Sequence, residues 1–279
     1  MEAIQYDNDG SFRPAESAPA RLMKGAEIAV RTLEQLGVET VFAYPGGSAI
    51  EFHQALADSS IRVVLPRHEQ GGAFAANGYA RASGRVGVCM ATSGPGATNL
   101  LTGVADACMD SIPMVIITGQ VESGLIGKNA FQETDIIGMS RPIVKHSRLV
   151  LHAGEIAPAL VEAFRLARCG RPGPVWIDIP KDIQQQISAF RFGDHPEPRR
   201  EKLPPPVDAE RIAEIREAIR RSERPCIVAG GGVIAAGASE ELFRFADSYR
   251  IPVATTLMGI GSFPETHPLS LKWLGMHGS

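Results

Sequence analysis

The sequence predicts an α/β fold: a doubly wound parallel sheet followed by an incomplete second α/β domain. The apolar runs that we interpret as strands are continuous rather than alternating, which is typical of parallel strands buried on both faces. Helical patterns separate most of these runs, as they do in consecutive β-α-β units. The chain has 279 residues, which at roughly 150 residues per domain suggests about two domains.

The first predicted domain covers residues 22–187 and follows an acidic stretch, 1–21, that we interpret as a disordered tail. Its helices are predicted from apolar residues that share one helical face, and its strands from short apolar runs. In chain order, helices are predicted over 26–36, 49–57, 69–83, the residues after 99, and 154–168. Strands are predicted over 41–43, 61–65, 86–92, 114–118 and 175–179.

Residues 188–206 contain five prolines and a charged run, which predicts an interdomain linker. The second domain, 207–279, begins with a helix that the side chain of Asp208 would cap. A strand over 226–229, a glycine turn, a helix over 239–249 and a strand over 252–256 are predicted next. Two parallel strands make a poor domain by themselves, so we expect this second domain to be truncated.

Composition excludes several classes of function. The formal net charge is −3 and no basic stretch stands out, so we expect no nucleic-acid partner. No apolar run approaches the roughly 18 residues that span a bilayer, so we expect no membrane partner. The acidic first 21 residues resemble neither a secretory signal nor a transit peptide, which favours a cytoplasmic location. The four cysteines form no CxxC pair, and the histidines show no metal-ligand spacing, so no metal site is predicted.

Glu69 is the first candidate for chemistry, because it lies where a predicted strand meets a helix. Gly71 and Gly72 follow it, and such small residues allow another group to approach closely. On position alone, the favoured explanation of Glu69 is an acid in the first helical turn that is stabilised by the helix dipole.

Glycine-rich turns follow two of the strands, at the edge where parallel sheets bind ligands. They are Tyr44-Pro45-Gly46-Gly47 and Ser93-Gly94-Pro95-Gly96, the latter followed by Asn99. In isolation, both are explained as plain tight turns. A third turn, Gly230-Gly231-Gly232, matches a dinucleotide-binding pattern, but the next strand ends in Thr255-Thr256 without a ribose-binding acid, which disfavours NAD. Arg171 could clamp a phosphate or simply be a surface arginine.

In their order along the chain, these motifs resemble the large catalytic subunits of acetolactate synthases, also called acetohydroxyacid synthases, which use thiamine diphosphate. The stretches that carry the resemblance include VETVFAYPGG, VLPRHEQGGAFAANGYARASG, TSGPGATNL, GRPGPVWIDIPKDIQQQ and LGMHG, and the resemblance covers residues 22–279. It implies a pyrimidine-binding domain at 22–187 and the N-terminal part of an FAD-binding central domain at 207–279. The implied reaction is decarboxylation of pyruvate and carboligation to a second 2-ketoacid.

The resemblance assigns a role to each candidate residue. Glu69 is implied to be the catalytic acid, hydrogen-bonded to N1′ of the cofactor's aminopyrimidine so that a proton can leave C2. The implied contacts with thiamine diphosphate are Pro45, Gly46, Gly47, Ser93 and Asn99. The implied substrate contacts are Gly47, Phe131, Gln132 and Lys145. The implied FAD contacts are Arg171, Gly230, Gly231, Gly232, Thr256, Leu257, Met258, Leu274, Gly275, Met276 and His277.

The resemblance also implies partners. Pyruvate and 2-ketobutyrate are the expected substrates, and a homodimer is expected, with a small regulatory subunit as a further partner. Mg²⁺ is expected to be bound by a C-terminal domain that this sequence lacks, so we expect the 279 residues to be inactive alone. Two departures from the family, Glu122 and Asn129, lie near the expected substrate channel and leave substrate preference open.

Two other interpretations remain. The chain could be a non-catalytic module that binds thiamine diphosphate or FAD, or it could belong to another thiamine enzyme such as pyruvate oxidase or glyoxylate carboligase. Glu69 speaks against glyoxylate carboligase, which lacks that acid. The segments Phe131-Gln132-Glu133 and Leu274-Gly275-Met276-His277 favour acetolactate synthase over pyruvate oxidase.

Overall fold

The computed structural model describes residues 20–191, 208–276 and 278. Contacts divide the chain into two compact units, 1–201 and 202–279, which we treat separately. Most of the predicted tail and linker, and His277 among the predicted FAD contacts, lie outside the described residues. The domain limits inferred from the sequence therefore stay predictions.

The first unit has eight described strands and seven described α-helices. The strands are β1 (Arg21–Lys24), β2 (Thr40–Ala43), β3 (Arg62–Val64), β4 (Gly87–Ala91), β5 (Met114–Gln120), β6 (His146–Leu149), β7 (Pro174–Pro180) and β8 (Ile187–Phe190). The helices are α1 (Gly25–Gln35), α2 (Ile50–Ala57), α3 (Glu69–Ser83), α4 (Pro95–Met109), α5 (Ile136–Ser140), α6 (Ile156–Arg168) and α7 (Lys181–Gln185).

Six strands form a parallel sheet in the order β3-β2-β4-β5-β7-β6. Its central strands β4, β5 and β7 are buried along their whole length, as their continuous apolar sequences predict. Helices α1, α2 and α6 pack with one face of the sheet in the main hydrophobic core. Helices α3 and α4 contact β2, β4 and β5 but contribute nothing to that core, so they cover the other face. The predicted doubly wound sheet is confirmed.

The second unit has three described strands in a parallel sheet, in the order β11-β10-β9. These strands are β9 (Ile227–Ala229), β10 (Val253–Thr255) and β11 (Ser270–Trp273). Its helices are α8 (Ala209–Arg221), α9 (Gly231–Ala235) and α10 (Ser239–Tyr249). Asp208 caps α8, because its side chain accepts a hydrogen bond from the backbone N–H of Glu210, as predicted. Ala229, Ala246, Val253 and Phe263 form a small core.

The structure contains elements that the sequence did not predict. Most of strand β8 lies in residues assigned to the linker. Ile187–Phe190 pairs antiparallel with Arg21–Lys24, which lies at the other end of the first unit's sequence. Such a pairing depends on a distant partner, which a local pattern does not reveal. Strand β11 is a third strand where two were predicted. Its sequence includes Lys272 and lacks the continuous apolar run that marks the other strands, and Leu271 and Lys272 are exposed.

Helices α3 and α4 lie parallel and very close together. Facing residues keep a nearly constant separation of 29 or 30 positions: Glu69 with Asn99, Ala73 with Gly103, Asn77 with Asp106, and Arg81 with Asp110. A Cβ atom added at Gly103 would lie 2.6 Å from Cβ of Ala73, closer than real Cβ atoms approach. Glycine at this position therefore sets the distance between the two helices.

We expect Gly103→Ala to lower the free energy of unfolding by about 1–3 kcal/mol, because the added methyl group overpacks the contact with Ala73. The matched control is Gly78→Ala on α3, where an added Cβ would meet nothing within 4 Å. That control should be stabilised by up to about 1 kcal/mol through helix propensity. Urea unfolding of the three proteins measures both effects, and equal stability of the two variants would contradict this packing.

Candidate active site

The candidate site lies at the carboxyl ends of β3, β2 and β4, which are neighbours in the sheet. Three segments that follow these strands meet there: the turn Tyr44–Ser48, Glu69 at the start of α3, and the segment Thr92–Asn99 that leads into α4. Parallel strands present their carboxyl ends at one edge, so a single topology gathers all three. This is the edge where the sequence predicted the chemistry.

Glu69 begins α3 and is partly buried. The N-cap residue His68 accepts a hydrogen bond at Nδ1 from the backbone N–H of Gln70, at 3.1 Å, which fixes the start of the helix. Asn99, on α4, donates from Nδ2 to Oε2 of Glu69 at 2.9 Å. Within the described residues, Oε1 of Glu69 accepts no hydrogen bond. One carboxylate oxygen is therefore fixed and the other is left for a ligand.

Two glycines make the floor beside this carboxylate. A Cβ added at Gly96 would lie 2.7 Å from Cγ2 of Thr92 and 3.3 Å from Oε1 of Glu69. A Cβ added at Gly46 would overlap Thr92 as well. Only glycine lets both turns pack against this threonine, and the same smallness allows a flat ligand to approach the carboxylate. The predicted thiamine contacts Pro45 and Gly47 are exposed on the first turn.

Ser48 ties the two turns together. Its backbone N–H donates to Oγ1 of Thr92 at 3.0 Å, and its hydroxyl is 3.0 Å from the hydroxyl of Ser93. Thr92 and Ser93 are buried, so these hydrogen bonds are shielded from water. The structure thus brings the predicted residues Gly46, Gly47, Ser93 and Asn99 to the Glu69 edge.

The segment with Phe131 and Gln132 reaches the same edge. Gly94 has a left-handed φ of +55°, and a Cβ added there would lie 2.5 Å from the carbonyl oxygen of Gln132. Gln132 itself adopts φ of +58°, and the Phe131 side chain is 87% exposed. These two predicted substrate residues therefore lie against the turn that leads to α4, with an aromatic ring open to solvent.

Lys145 is not part of this group. Its backbone N–H donates to the carbonyl of Pro174, at the amino end of β7, whereas Glu69 follows the carboxyl end of its strand. Its ammonium group donates to the carbonyls of Leu166 and Cys169, near the end of α6. In this chain Lys145 caps a helix at the opposite edge of the sheet. The predicted substrate role of Lys145 is thus not supported by its position.

Arg171 forms hydrogen bonds within the first unit, near the end of α4. Its guanidinium donates to Oγ of Ser111 at 2.7 Å and to the carbonyl of Met109 at 3.0 Å, which fastens the end of α4. The prediction that it contacts FAD is untested, because the other predicted FAD contacts belong to the second unit.

The remaining predicted FAD contacts lie in two turns of the second unit and in the segment after β11. A Cβ added at Gly231 would lie 3.1 Å from both Cβ and the carbonyl oxygen of Met258, so the glycine turn packs on the segment Thr256–Met258. Oγ1 of Thr255, at the end of β10, is buried without a hydrogen-bond partner among the described residues. Leu274 donates its backbone N–H to the carbonyl of Thr255, and Met276 is 95% exposed.

A buried polar network that the sequence did not predict lies at the ends of β5 and β7. Asp178, which is 1% exposed, accepts hydrogen bonds from Thr118 at 2.7 Å and from Gln120 at 3.0 Å. Burial raises the pKa of Asp178 to about 7, although both hydrogen bonds act in the opposite direction. Gln120 also donates to the carbonyl of Thr134, which anchors the segment that carries Phe131. An acid inside the apolar run VWIDIP was the available signal.

The geometry fits an aminopyrimidine ring better than it fits a metal. A planar heterocycle could lie on the glycine floor and share a proton with Oε1 of Glu69, while Asn99 holds the other oxygen. Among the described residues, no group of three or more His, Cys, Asp or Glu side chains could hold a metal ion.

No helix in the described part of the chain is long and apolar enough to cross a membrane.

Comparison with known families defines the class of protein. Residues 23–139 match the family described as "Thiamine pyrophosphate enzyme, N-terminal TPP binding domain", pyrophosphate being another name for diphosphate. Residues 212–279 match "Thiamine pyrophosphate enzyme, central domain". The chain therefore belongs to the thiamine pyrophosphate enzymes, and the site around Glu69 lies within its cofactor-binding domain.

Within that class, the chain is similar to curated acetolactate synthases. The chain is 54% identical over 268 residues to acetolactate synthase 3, chloroplastic, of Brassica napus, which covers 94% of this chain and 40% of the relative. It is 52% identical over 269 residues to the chloroplastic acetolactate synthase of Arabidopsis thaliana, covering 94% of this chain and 39% of the relative. The chain thus spans about 40% of the length of these relatives.

The prediction of a cytoplasmic location is wrong by this comparison. The acetolactate synthases of Brassica napus, Arabidopsis thaliana and Zea mays that match this chain are all described as chloroplastic. The prediction rested on the acidic composition of residues 1–21, and this composition carries no information about segments outside the given sequence.

The raised pKa of Asp178 predicts how stability depends on pH. Below pH 4 the carboxyl group is protonated whether the chain is folded or unfolded, whereas between pH 4 and 7 only the folded state retains the proton. The contribution of Asp178 to the free energy of unfolding should therefore fall as the pH rises from 4 to 7 and then level off. Asp178→Asn, which cannot titrate, should be stabilised relative to the native chain increasingly over that range.

Urea unfolding at several pH values between 4 and 8 measures this difference. Glu122→Gln, which removes an exposed acid, provides the control for the change from acid to amide. Parallel stability curves for the native chain and Asp178→Asn would contradict the shifted pKa.

Proposed function

We propose that this chain supplies the aminopyrimidine-binding side of the active site of an acetolactate synthase large subunit. The proposed reaction decarboxylates pyruvate and joins the product to a second 2-ketoacid, pyruvate or 2-ketobutyrate, in the synthesis of branched-chain amino acids such as isoleucine and valine. The observation that carries the proposal is the carboxylate of Glu69, held on one oxygen by Asn99 and open on the other. The identity to acetolactate synthases supports the choice of reaction.

Glu69 would act as the acid that shares a proton with the ring nitrogen N1′. When bound, thiamine diphosphate supplies a nucleophilic carbon and an electron sink for decarboxylation. The hydrogen bond from Asn99 fixes the carboxylate, so that Oε1 faces the Gly96 floor rather than rotating into solvent. An acid held in one orientation next to the ring can give up and take back the same proton in each turnover.

The turn at Gly46 and Gly47 and the segment at Phe131 and Gln132 would form the substrate side of the site. An added Cβ at Gly47 would meet nothing within 4 Å, so its backbone is open to an approaching 2-ketoacid. The exposed ring of Phe131 would narrow the approach and exclude water from the carboligation step. Lys145 is left out of this set because of its position at the opposite edge.

FAD is a proposed second cofactor, bound by the second unit. The Gly230–Gly232 turn offers backbone N–H groups at the carboxyl end of β9, and the unpartnered hydroxyl of Thr255 lies at the end of the neighbouring strand. The absence of an acid after β10 in the sequence fits an extended flavin dinucleotide better than NAD. The contact with FAD proposed for Arg171 rests on the resemblance alone.

Mg²⁺ is proposed for the enzyme as a whole, as the clamp on the diphosphate. Within 20–191, 208–276 and 278, no group of three or more His, Cys, Asp or Glu side chains is placed to hold it. The inactivity expected of a polypeptide limited to these residues stays a prediction, as does a small regulatory subunit.

A homodimer is the proposed assembly. Apolar side chains are exposed near the Glu69 edge: Leu65 (65%), Phe74 (42%) and Phe131 (87%). An apolar surface beside a proton-transfer site is poorly suited to water and would be covered by a second subunit. Sedimentation velocity distinguishes a dimer from a monomer.

In the acetolactate synthase that contains these residues, we expect Glu69→Gln to slow hydrogen exchange at C2 of the bound cofactor by about 10²-fold or more. The amide matches the carboxylate in size, so cofactor affinity should change much less than the exchange rate. NMR measurement of C2 exchange by quenched flow provides the test.

The matched control is Glu39→Gln, which removes an exposed acid that pairs with Arg85 away from the site. Its C2 exchange rate should equal that of the native enzyme. Unchanged exchange in Glu69→Gln would overturn the role assigned to Glu69, and the proposed function with it.

A further inference from the structure

Gln184 is a buried residue to which neither the resemblance nor the proposed reaction gives a role. It lies on the five-residue helix α7 and is fully buried. Its side-chain nitrogen donates to the carbonyl of Ser48 at 2.8 Å and to the carbonyl of Ile179 at 2.8 Å. Both amide protons are thus used, and Oε1 is buried without a partner among the described residues. The reversed amide would set oxygen against two carbonyl oxygens, so this orientation is the favourable one.

The hydrogen bond to Ser48 completes the fixing of that residue. Thr92 accepts from its backbone N–H and Ser93 bonds its hydroxyl, so Gln184 holds the remaining polar atom, the carbonyl oxygen. A Cβ added at Gly119 would overlap that same carbonyl oxygen, so the backbone of β5 closes the other side. The carbonyl oxygen of Ser48 is therefore held between the Gln184 amide and the backbone of Gly119.

Helix α7 is itself anchored to the sheet edge. Asp182 accepts hydrogen bonds from the backbone N–H of Ser123 at 2.9 Å and from its hydroxyl at 2.5 Å. These hydrogen bonds hold the helix that carries Gln184, and with it the position of the Gln184 amide. Gly47 directly precedes Ser48, and an added Cβ at Gly47 would meet nothing within 4 Å, whereas one at Gly46 would overlap Thr92.

We propose that Gln184 is a positioning residue that sets the backbone of Gly47 for the incoming 2-ketoacid, acting through the carbonyl of Ser48. This inference rests on the proposed function for the identity of the ligand at Gly47. The hydrogen bonds of Gln184 go to Ser48 and Ile179, whereas the carboxylate of Glu69 is held by Asn99. The cofactor is also held at Glu69, so the effect of losing Gln184 should fall more heavily on the substrate at Gly47 than on the cofactor.

The test variant is Gln184→Met, which keeps length and volume but removes both donors. Its control is Gln185→Met, because the neighbouring Gln185 donates to the partly exposed Glu51 on the other side of α7. In the 279-residue chain, hydrogen–deuterium exchange of the segment 44–49 should become about tenfold faster in Gln184→Met and stay unchanged in Gln185→Met. Equal exchange in the two variants would overturn the proposal.

The enzyme assay separates positioning from a purely structural role. In the active acetolactate synthase, Gln184→Met should raise KM for the 2-ketoacid about tenfold while the affinity for thiamine diphosphate changes less than twofold. A parallel loss of both, or of neither, would overturn the proposal. Absence of carboligation in the native enzyme would instead refute the proposed function and leave the exchange result standing.

A third measurement does not depend on the variant folding. In the native chain, the two side-chain amide protons of Gln184 should exchange with solvent much more slowly than those of a free glutamine, because both are bonded and buried. NMR of the ¹⁵N-labelled chain measures this rate. Exchange as fast as in a free glutamine would overturn the proposal.

Discussion

The close parallel packing of α3 on α4 is the constraint on which the site depends. Ala73 and Gly103 touch where a larger side chain would force the helices apart, and this contact lies about one turn beyond Glu69 and Asn99. Because both helices are rigid over so short a distance, the spacing at Gly103 sets the 2.9 Å hydrogen bond between the amide and the carboxylate. The ladder of Asn77, Arg81, Asp106 and Asp110 then holds the far ends of the same pair.

The second constraint is the use of small residues at the sheet edge. Gly46 and Gly96 both pack on Thr92, and Ser48 closes the turn onto the same threonine. The carboxylate therefore stands over backbone and methyl groups rather than among competing polar side chains. That surface explains how a partly buried acid can be held firmly by one amide and still offer its second oxygen to a planar ring.

The parallel sheet and the position of the candidate site could be predicted from the sequence, because both depend on local patterns. Continuous apolar runs predicted the parallel strands, and glycine turns after those strands predicted the edge where Glu69 lies. What the sequence missed depends on distant partners. Strand β8 exists because Arg21–Lys24 pairs with it, and Asp178 is tolerated because Thr118 and Gln120 reach it from a neighbouring strand. Lys145 was assigned by resemblance, but its carbonyl partners, Leu166 and Cys169, lie at the end of α6, 21 and 24 residues further along the chain.

The central claim is that Glu69 is already oriented, before any ligand binds, to receive a ring nitrogen at its free oxygen. A crystal structure of the proposed enzyme, with thiamine diphosphate bound, tests that claim most directly. We expect N1′ to lie about 2.7–3.2 Å from Oε1 of Glu69, with the hydrogen bond from Asn99 to Oε2 retained. A ring nitrogen beyond hydrogen-bond distance of this carboxylate, or an Asn99 amide that has left Glu69 to bind the cofactor, would contradict it.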